Sequence, residues 1–350
     1  MLEVSKYGHA HVDIPSQSEI NARKCRIVFH NEYAPNSISG EIICILKTIT
    51  LIHIGSGIYE MAEDAGIDNY SGVIKGIVKE NGLPIIPGSS LKGAFRSIVE
   101  AISYSCLNQK CEASDYESKL CIACRIFGVV GFMGRASFTK ATIKDENDYK
   151  TKKANHEIPK SIEMWPPLDK AATGRRFYPY IEYLSSDFWD SSNKDEFDIT
   201  AGCNSIQEFK QKVVEPYDFI PENVELSFAL KFVNLEDKEI GLILTGMGIG
   251  LDNQPIFQPH IGGSKKFCFG GIEVKVGQIK IYKGNREDFK TFAASNSSEL
   301  VSDTNGWINE KIQAFTNKSP NEAENFLFDK GLSQVKEILQ YPAGLPVVVI

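Results

Sequence analysis

Strand-forming and helix-forming runs are grouped along this chain instead of alternating, and that grouping limits the fold more than any single motif. Residues 26–30 (RIVFH) and 41–54 (EIICILKTITLIHI) are rich in Ile, Val and Thr, as a strand and a longer bent strand would be. Residues 73–78 and 83–86 flank Glu80-Asn81-Gly82 and read as a hairpin. Pro87-Gly88 breaks the strand pattern. Leu91, Phe95, Ile98, Val99 and Ile102 then recur at helical spacing, with Ser89 or Ser90 as N-cap. Strand patterns return at 224–233, 240–244, 272–276 and 278–282. After residue 290 the pattern is helical, and Ser319-Pro320-Asn321-Glu322 reads as a capping box opening a helix to about Gln340. Grouped elements predict an α+β fold, not a doubly wound parallel sheet.

Three segments stand outside this pattern. Residues 1–24 are polar and patternless, a tail or strapped-on arm in which His9 and His11 read as solvated. Residues 143–205 are long, polar and poor in strand signals, too long for a plain loop and so an insertion with a role or a disordered segment. Residues 290–350 form a helical, acidic extension. The expected organisation is a 1–24 tail, a 25–289 body and a 290–350 extension.

Charge limits the function classes. The formal charge is −7, which argues against a protein that coats nucleic acid with its whole surface. A local basic groove remains open, because residues 260–286 carry six cations against Glu273, while residues 287–350 carry nine acids against five lysines. No apolar run is long enough to span a membrane, and the N-terminus has no apolar h-region, so a cytoplasmic protein is expected.

Clustered cysteines in such a chain suggest a metal before disulfides. Cys106-x₄-Cys111-x₉-Cys121-x₂-Cys124 offers four thiolates to a tetrahedral, closed and therefore structural Zn²⁺. Four unconnected buried cysteines is the alternative, since the x₄ spacing is loose. Cys25, Cys44, Cys203 and Cys268 read as core residues.

Two glycine-bearing segments offer phosphate sites. Gly88-Ser-Ser-Leu-Lys-Gly93 lacks the Lys-Ser/Thr of a P-loop. What remains is a helix N-terminus with Ser89, Ser90, Lys92 and Arg96, whose alternative is a capped helix with a solvated basic face. In Gly262-Gly-Ser-Lys-Lys-Phe-Cys-Phe-Gly270-Gly271, glycines allow close approach. Lys265 and Lys266 supply charge, and Phe267 and Phe269 offer stacking faces, at least one of which belongs to the core.

In this order, Ile86–Arg96, Cys121–Gly128 with Gly134-Arg135-Ala-Ser-Phe138, and Gly262–Gly271 resemble the RAMP superfamily of CRISPR-associated proteins, in particular backbone subunits of type III effector complexes. Ile52-His-Ile-Gly-Ser-Gly57 fits as well. The resemblance covers roughly residues 40–140 and 240–283. It implies a modified RNA-recognition, ferredoxin-like fold with a zinc knuckle at 106–124 and a thumb-like insertion at 143–205. It further implies that Ser89, Ser90, Lys92, Arg96, Gly262, Gly263, Lys265, Lys266 and Phe269 hold CRISPR RNA. The implied partners are that guide, a target RNA, other RAMP subunits and a large subunit, in antiviral defence. In cleaving relatives an aspartate between the first strand and the I-P-G-S-S segment cuts target RNA with Mg²⁺. Asp68 matches best, with Asp64 as the fallback. Two other readings stand beside this one. The first is a CRISPR RNA processing endonuclease, for which His53 and His30 are available as bases. The second is a zinc-stapled, non-catalytic cap.

Overall fold

The structure is a computed structural model that describes residues 2–4, 9–27, 36–67, 70–107, 111–113, 118–156, 160–162, 175–180, 214–265, 268–282, 298–342 and 347–349. Its central strand is Ser37–Thr48 (β1), in which Ile42, Cys44 and Leu46 are fully buried at every second position. That period of two marks one face turned to a core. A ribbon follows, Gly55–Met61 (β2) against Val73–Ile77 (β3). Lys79–Glu80 (β4) and Leu83–Ile86 (β5) close a tight hairpin through Asn81 and Gly82, both at positive φ. The long helix Gly88–Ile102 (α1) precedes a six-residue helix, Ile122–Phe127 (α2). Strands Ala136–Phe138 (β6) and Ala141–Ile143 (β7), helix Glu146–Ala154 (α3), strand Glu225–Glu236 (β8) and helix Asp237–Gly246 (α4) come next. Strand Ile272–Tyr282 (β9), the short Ser298–Leu300 (β10) and helices Thr304–Thr316 (α5) and Asp329–Ile338 (α6) complete the body.

The main sheet runs β10-β9-β1-β8-β7-β5-β4, with β6 also on β8 and every pairing antiparallel. Taken in chain order, β1, α1, β6/β7, β8, α4 and β9 form a β-α-β-β-α-β unit whose strands lie in the order 4-1-3-2. This is the split βαβ, ferredoxin-like plan, and the expected α+β class holds. Phe95, fully buried on α1, lies against Phe138 and Phe228 of the sheet. The two helices of the unit approach closely, since a Cβ on Gly246 would sit 2.5 Å from Val99 Cγ2. Gly241 of α4 faces the Lys311 backbone of α5, and Gly331 of α6 faces that of Ala101 in α1. The side chains Ile308, Ile312, Phe315, Val335 and Ile338 therefore join the same core as Leu91 and Phe95. No helix among the described residues is long and apolar enough to cross a membrane.

Several local expectations are corrected. Residues 240–244 are helical, not a strand. An apolar run buried on all sides carries no periodicity to separate the two, and a capping box between Glu236 and Glu239 starts the helix. Residues 73–77 pair with β2 rather than with 83–86. The long strand stops at Thr48, whose Oγ1 donates to the Pro221 carbonyl at 2.6 Å. Residues 272–282 form one strand with a bulge between Val276 and Gln278. Asn321 caps only a 3-10 turn, Glu322–Glu324, and α6 begins later, at Asp329. The N-terminal residues form an arm rather than a tail: strand Ala10–Val12 pairs with Arg175–Phe177, and His9 is buried. Residues 28–30, Cys203 and most of the 143–205 insertion lie outside the described residues.

Candidate nucleic-acid interface and metal site

The four clustered cysteines meet. Cys106, Cys111, Cys121 and Cys124 are all buried, and their sulfurs lie within 4.8 Å of one another. Cys106 Sγ is 3.6 Å from both Cys121 Sγ and Cys124 Sγ. That separation is too long for disulfides. It suits a tetrahedron with zinc–sulfur bonds of about 2.3 Å, whose edges measure about 3.8 Å. Cys106 follows α1, while Cys121 caps α2 and Cys124 lies inside it. Ser105 Oγ accepts from the Ala123 N–H at 3.2 Å and fixes the knuckle against the end of α1. Hydrogen bonds from Cys111, Cys121 and Cys124 pull the Cys106 thiol far below its ordinary range. The donor set fits a soft divalent metal, with all four positions taken by protein. Among the described residues no other group of three or more His, Cys, Asp or Glu side chains comes close enough to share an ion.

The arginines around this knuckle are clamps. Arg125 and Arg135 converge on Glu239, which is fully buried on α4, with Arg125 Nη2 at 3.0 Å. Arg135 also donates to the carbonyls of Arg125 (3.2 Å) and Asn234 (2.6 Å). No motif in the sequence marks Glu239 as part of this cluster. Its capping-box position three residues after Glu236 was the signal that could have found it. Arg96 turns inward as well. Its Nε reaches Glu100 Oε1 at 2.7 Å, Nη1 the Gly128 carbonyl at 2.7 Å and Nη2 Cys124 Sγ at 3.5 Å. Gly128 holds φ +89, the left-handed region that favours glycine, with Gly134 packed against it.

The start of α1 is built differently. Its N-cap is Pro87, which makes no side-chain cap bond, so Ser89 and Ser90 fall within the first turn instead of capping it. A Cβ on Gly88 would collide with the Phe138 carbonyl, which is why the chain needs glycine there. Lys92 is half-buried, and no carboxylate among the described residues pairs with it. Burial, then the nearby Arg96 charge, lowers its pKa.

The glycine loop sits elsewhere on the sheet, beyond the end of β1. Gly263 N–H donates to the His53 carbonyl at 2.9 Å and Gly270 N–H to that of Leu51 at 2.7 Å. Gly262 lies so close to the His53 carbonyl that a Cβ would not fit. His53 itself is buried, and its Nδ1 donates to the Asp218 carbonyl at 2.8 Å. Lys265 has no carboxylate partner among the described residues, and burial lowers its pKa. Phe269 is buried, while Lys266 and Phe267 lie outside the described residues. His260 Nδ1 donates to the Phe269 carbonyl at 2.8 Å, leaving Nε2 a buried acceptor without a partner among the described residues. Burial holds this imidazole neutral, with a pKa of about 4. Tyr180 stacks on it, with ring centroids 4.0 Å apart, and donates to the Gln258 carbonyl at 2.8 Å. Tyr180 lies inside the polar insertion, where no pattern marked it.

Asp64 is exposed in the turn that links β2 to β3. Asp68 and His30 lie outside the described residues. The base of that ribbon is braced by the buried Asp218, which takes Lys153 at 2.6 Å and Lys79 at 2.7 Å; Lys79 also reaches Glu60 at 2.9 Å.

A search of curated proteins finds no match. A family model described as "RAMP superfamily" matches residues 45–270, from β1 through the glycine loop, and the chain belongs to that superfamily.

Proposed function

We propose that this chain is a guide-RNA-binding backbone subunit of a type III CRISPR effector complex. Membership of the RAMP superfamily supports a CRISPR-associated, RNA-binding role. The observation that carries the interface is the pair Lys92 and Lys265. Lys92 lies near the start of α1, between Gly88 and Gly93, and Lys265 in the glycine loop; each is desolvated, and neither meets a carboxylate among the described residues. A cation withdrawn from water without a counter-charge is costly, and a phosphate supplies that counter-charge. The glycines let a sugar–phosphate backbone come near without reading its bases, which suits a guide of any sequence. The cysteine site holds a structural Zn²⁺ that fixes the segment after α1. The insertion at 143–205 serves as the thumb. Target cleavage would fall to Asp68 or Asp64 with Mg²⁺, and Asp68→Ala and Asp64→Ala in the assembled complex test it separately.

Native expression followed by analysis of co-purified nucleic acid tests the reading. RNase-sensitive RNAs sharing one repeat-derived end are expected. Folded, zinc-containing protein that carries no nucleic acid and assembles only with other proteins would instead make this a zinc-stapled cap.

A further inference from the structure

Arg96 stands between the cysteine site and the start of α1. Its guanidinium donates to Cys124 Sγ, to the carbonyl that ends α2 and to Glu100. Glu100 is buried and also meets Arg175. Four residues earlier on the same helix, one turn back, is Lys92. No other described cation both touches a cysteine of the cluster and stands on the helix that carries a proposed phosphate contact.

The sulfur it touches changes character with metal. A metal-bound cysteine is a thiolate, and hydrogen bonds to ionised acceptors are roughly twice as strong as those between neutral groups. Loading the site therefore tightens the Arg96–Cys124 contact and, through the rigid helix, fixes the first turn of α1. We propose that Arg96 is a positioning residue that couples metal occupancy of the four-cysteine site to the grip of α1 on an RNA phosphate. The coupling rests on reading the start of α1 as a phosphate site. Arg96's support of the metal does not. Coupling between two binding equilibria is reciprocal, so bound RNA must in turn retain the metal.

The test follows zinc transfer from the full-length, zinc-loaded chain to a chromogenic chelator, with and without a single-stranded RNA oligonucleotide. Wild type should lose zinc less readily when RNA is bound. Arg96→Gln should bind zinc about 10- to 100-fold more weakly, the usual cost of removing an outer-shell partner, and RNA should no longer protect it. Lys92→Ala should keep the wild-type zinc affinity while binding RNA less well. Arg96→Lys keeps the charge without the fork, and should fall between wild type and Arg96→Gln, so the test survives if the glutamine variant does not fold. Unchanged zinc affinity in both Arg96 variants overturns the proposal. Wild type that binds RNA yet loses zinc equally fast overturns the coupling and leaves the RNA reading standing. Wild type that binds no RNA sinks that reading and the coupling together, while the Arg96 zinc affinities still decide its support of the metal.

Discussion

Arg96, Arg125 and Arg135 each meet a buried carboxylate, whereas Lys92 and Lys265 meet none among the described residues. The first group lies between α1, α2 and α4; of the second, Lys92 lies near the start of α1 and Lys265 in the glycine loop. Side-chain chemistry accounts for the division. A guanidinium offers planar, forked donors that satisfy several buried acceptors at once, as Arg135 does with two carbonyls and Glu239. An ammonium is a compact charge on a flexible stem: Lys79 and Lys153 are taken by the buried Asp218, whereas Lys92 and Lys265 are left for a phosphate arriving from solvent. Basic residues beside glycines in a motif are therefore not one population. Some hold the loop, and others are left over for the ligand.

The arginine side breaks most heavily through Glu239. Replacing it with Gln leaves the buried Arg135 without its carboxylate and Arg125 with Glu236 alone, and removing one member of a buried pair costs about 3–5 kcal/mol. Urea unfolding of Glu239→Gln should show a loss of that size. A loss under about 1 kcal/mol would mean that Arg125 and Arg135 are not held by this carboxylate. RNA affinity of the protein that stays folded should not change, since neither lysine touches the network.

A smaller effect comes from His260 under the glycine loop. Its folded pKa of about 4 lies below the ordinary 6.5. The depressed value means that the unfolded chain takes up a proton the folded chain refuses. Stability from this group is thus complete above about pH 6.5 and lost as pH falls toward 4, by up to about 3 kcal/mol. Carboxylates titrate in the same window, so the difference between wild type and His260→Gln isolates the histidine. The gap between their stabilities should narrow as pH falls from 6.5 to 4. A gap independent of pH would mean that the imidazole is not buried in its neutral form.

Much of this was legible in the residues. The alternation through β1 and the stripe on α1 marked those two elements, because each has one covered face and one open face, and the grouping of such runs along the chain pointed to the α+β class. The cysteine cluster was legible from its spacing, since C-x₂-C across a short helix brings two sulfurs together. The inward turn of Arg96 was not, because i,i+4 spacing from Lys92 fixes a face but not what packs on it. Nor was α4, whose apolar run is buried all round and so hides its period. Tyr180 could not be found because its contact with His260 spans eighty residues of chain.

The lysine side gives the smallest change in stability and the sharpest contrast. Lys92→Ala with Lys265→Ala removes two desolvated cations that no carboxylate among the described residues compensates, so folding should be unharmed or slightly favoured, opposite to Glu239→Gln. RNA binding should weaken for every sequence alike, because phosphates carry no sequence. Each single-strand phosphate contact contributes about 0.7 to the slope of log affinity against log salt, so losing two should flatten that slope by about 1.4. The pH dependence follows from the same lysines. Burial lowers both pKa values, so the charged form that attracts phosphate is lost as pH rises before ordinary lysines titrate. Wild-type affinity should therefore begin to fall below the ordinary lysine range, and the double variant should lack that fall. A double variant with the wild-type salt slope would place the phosphate contacts on other cations and erase the division between the two groups.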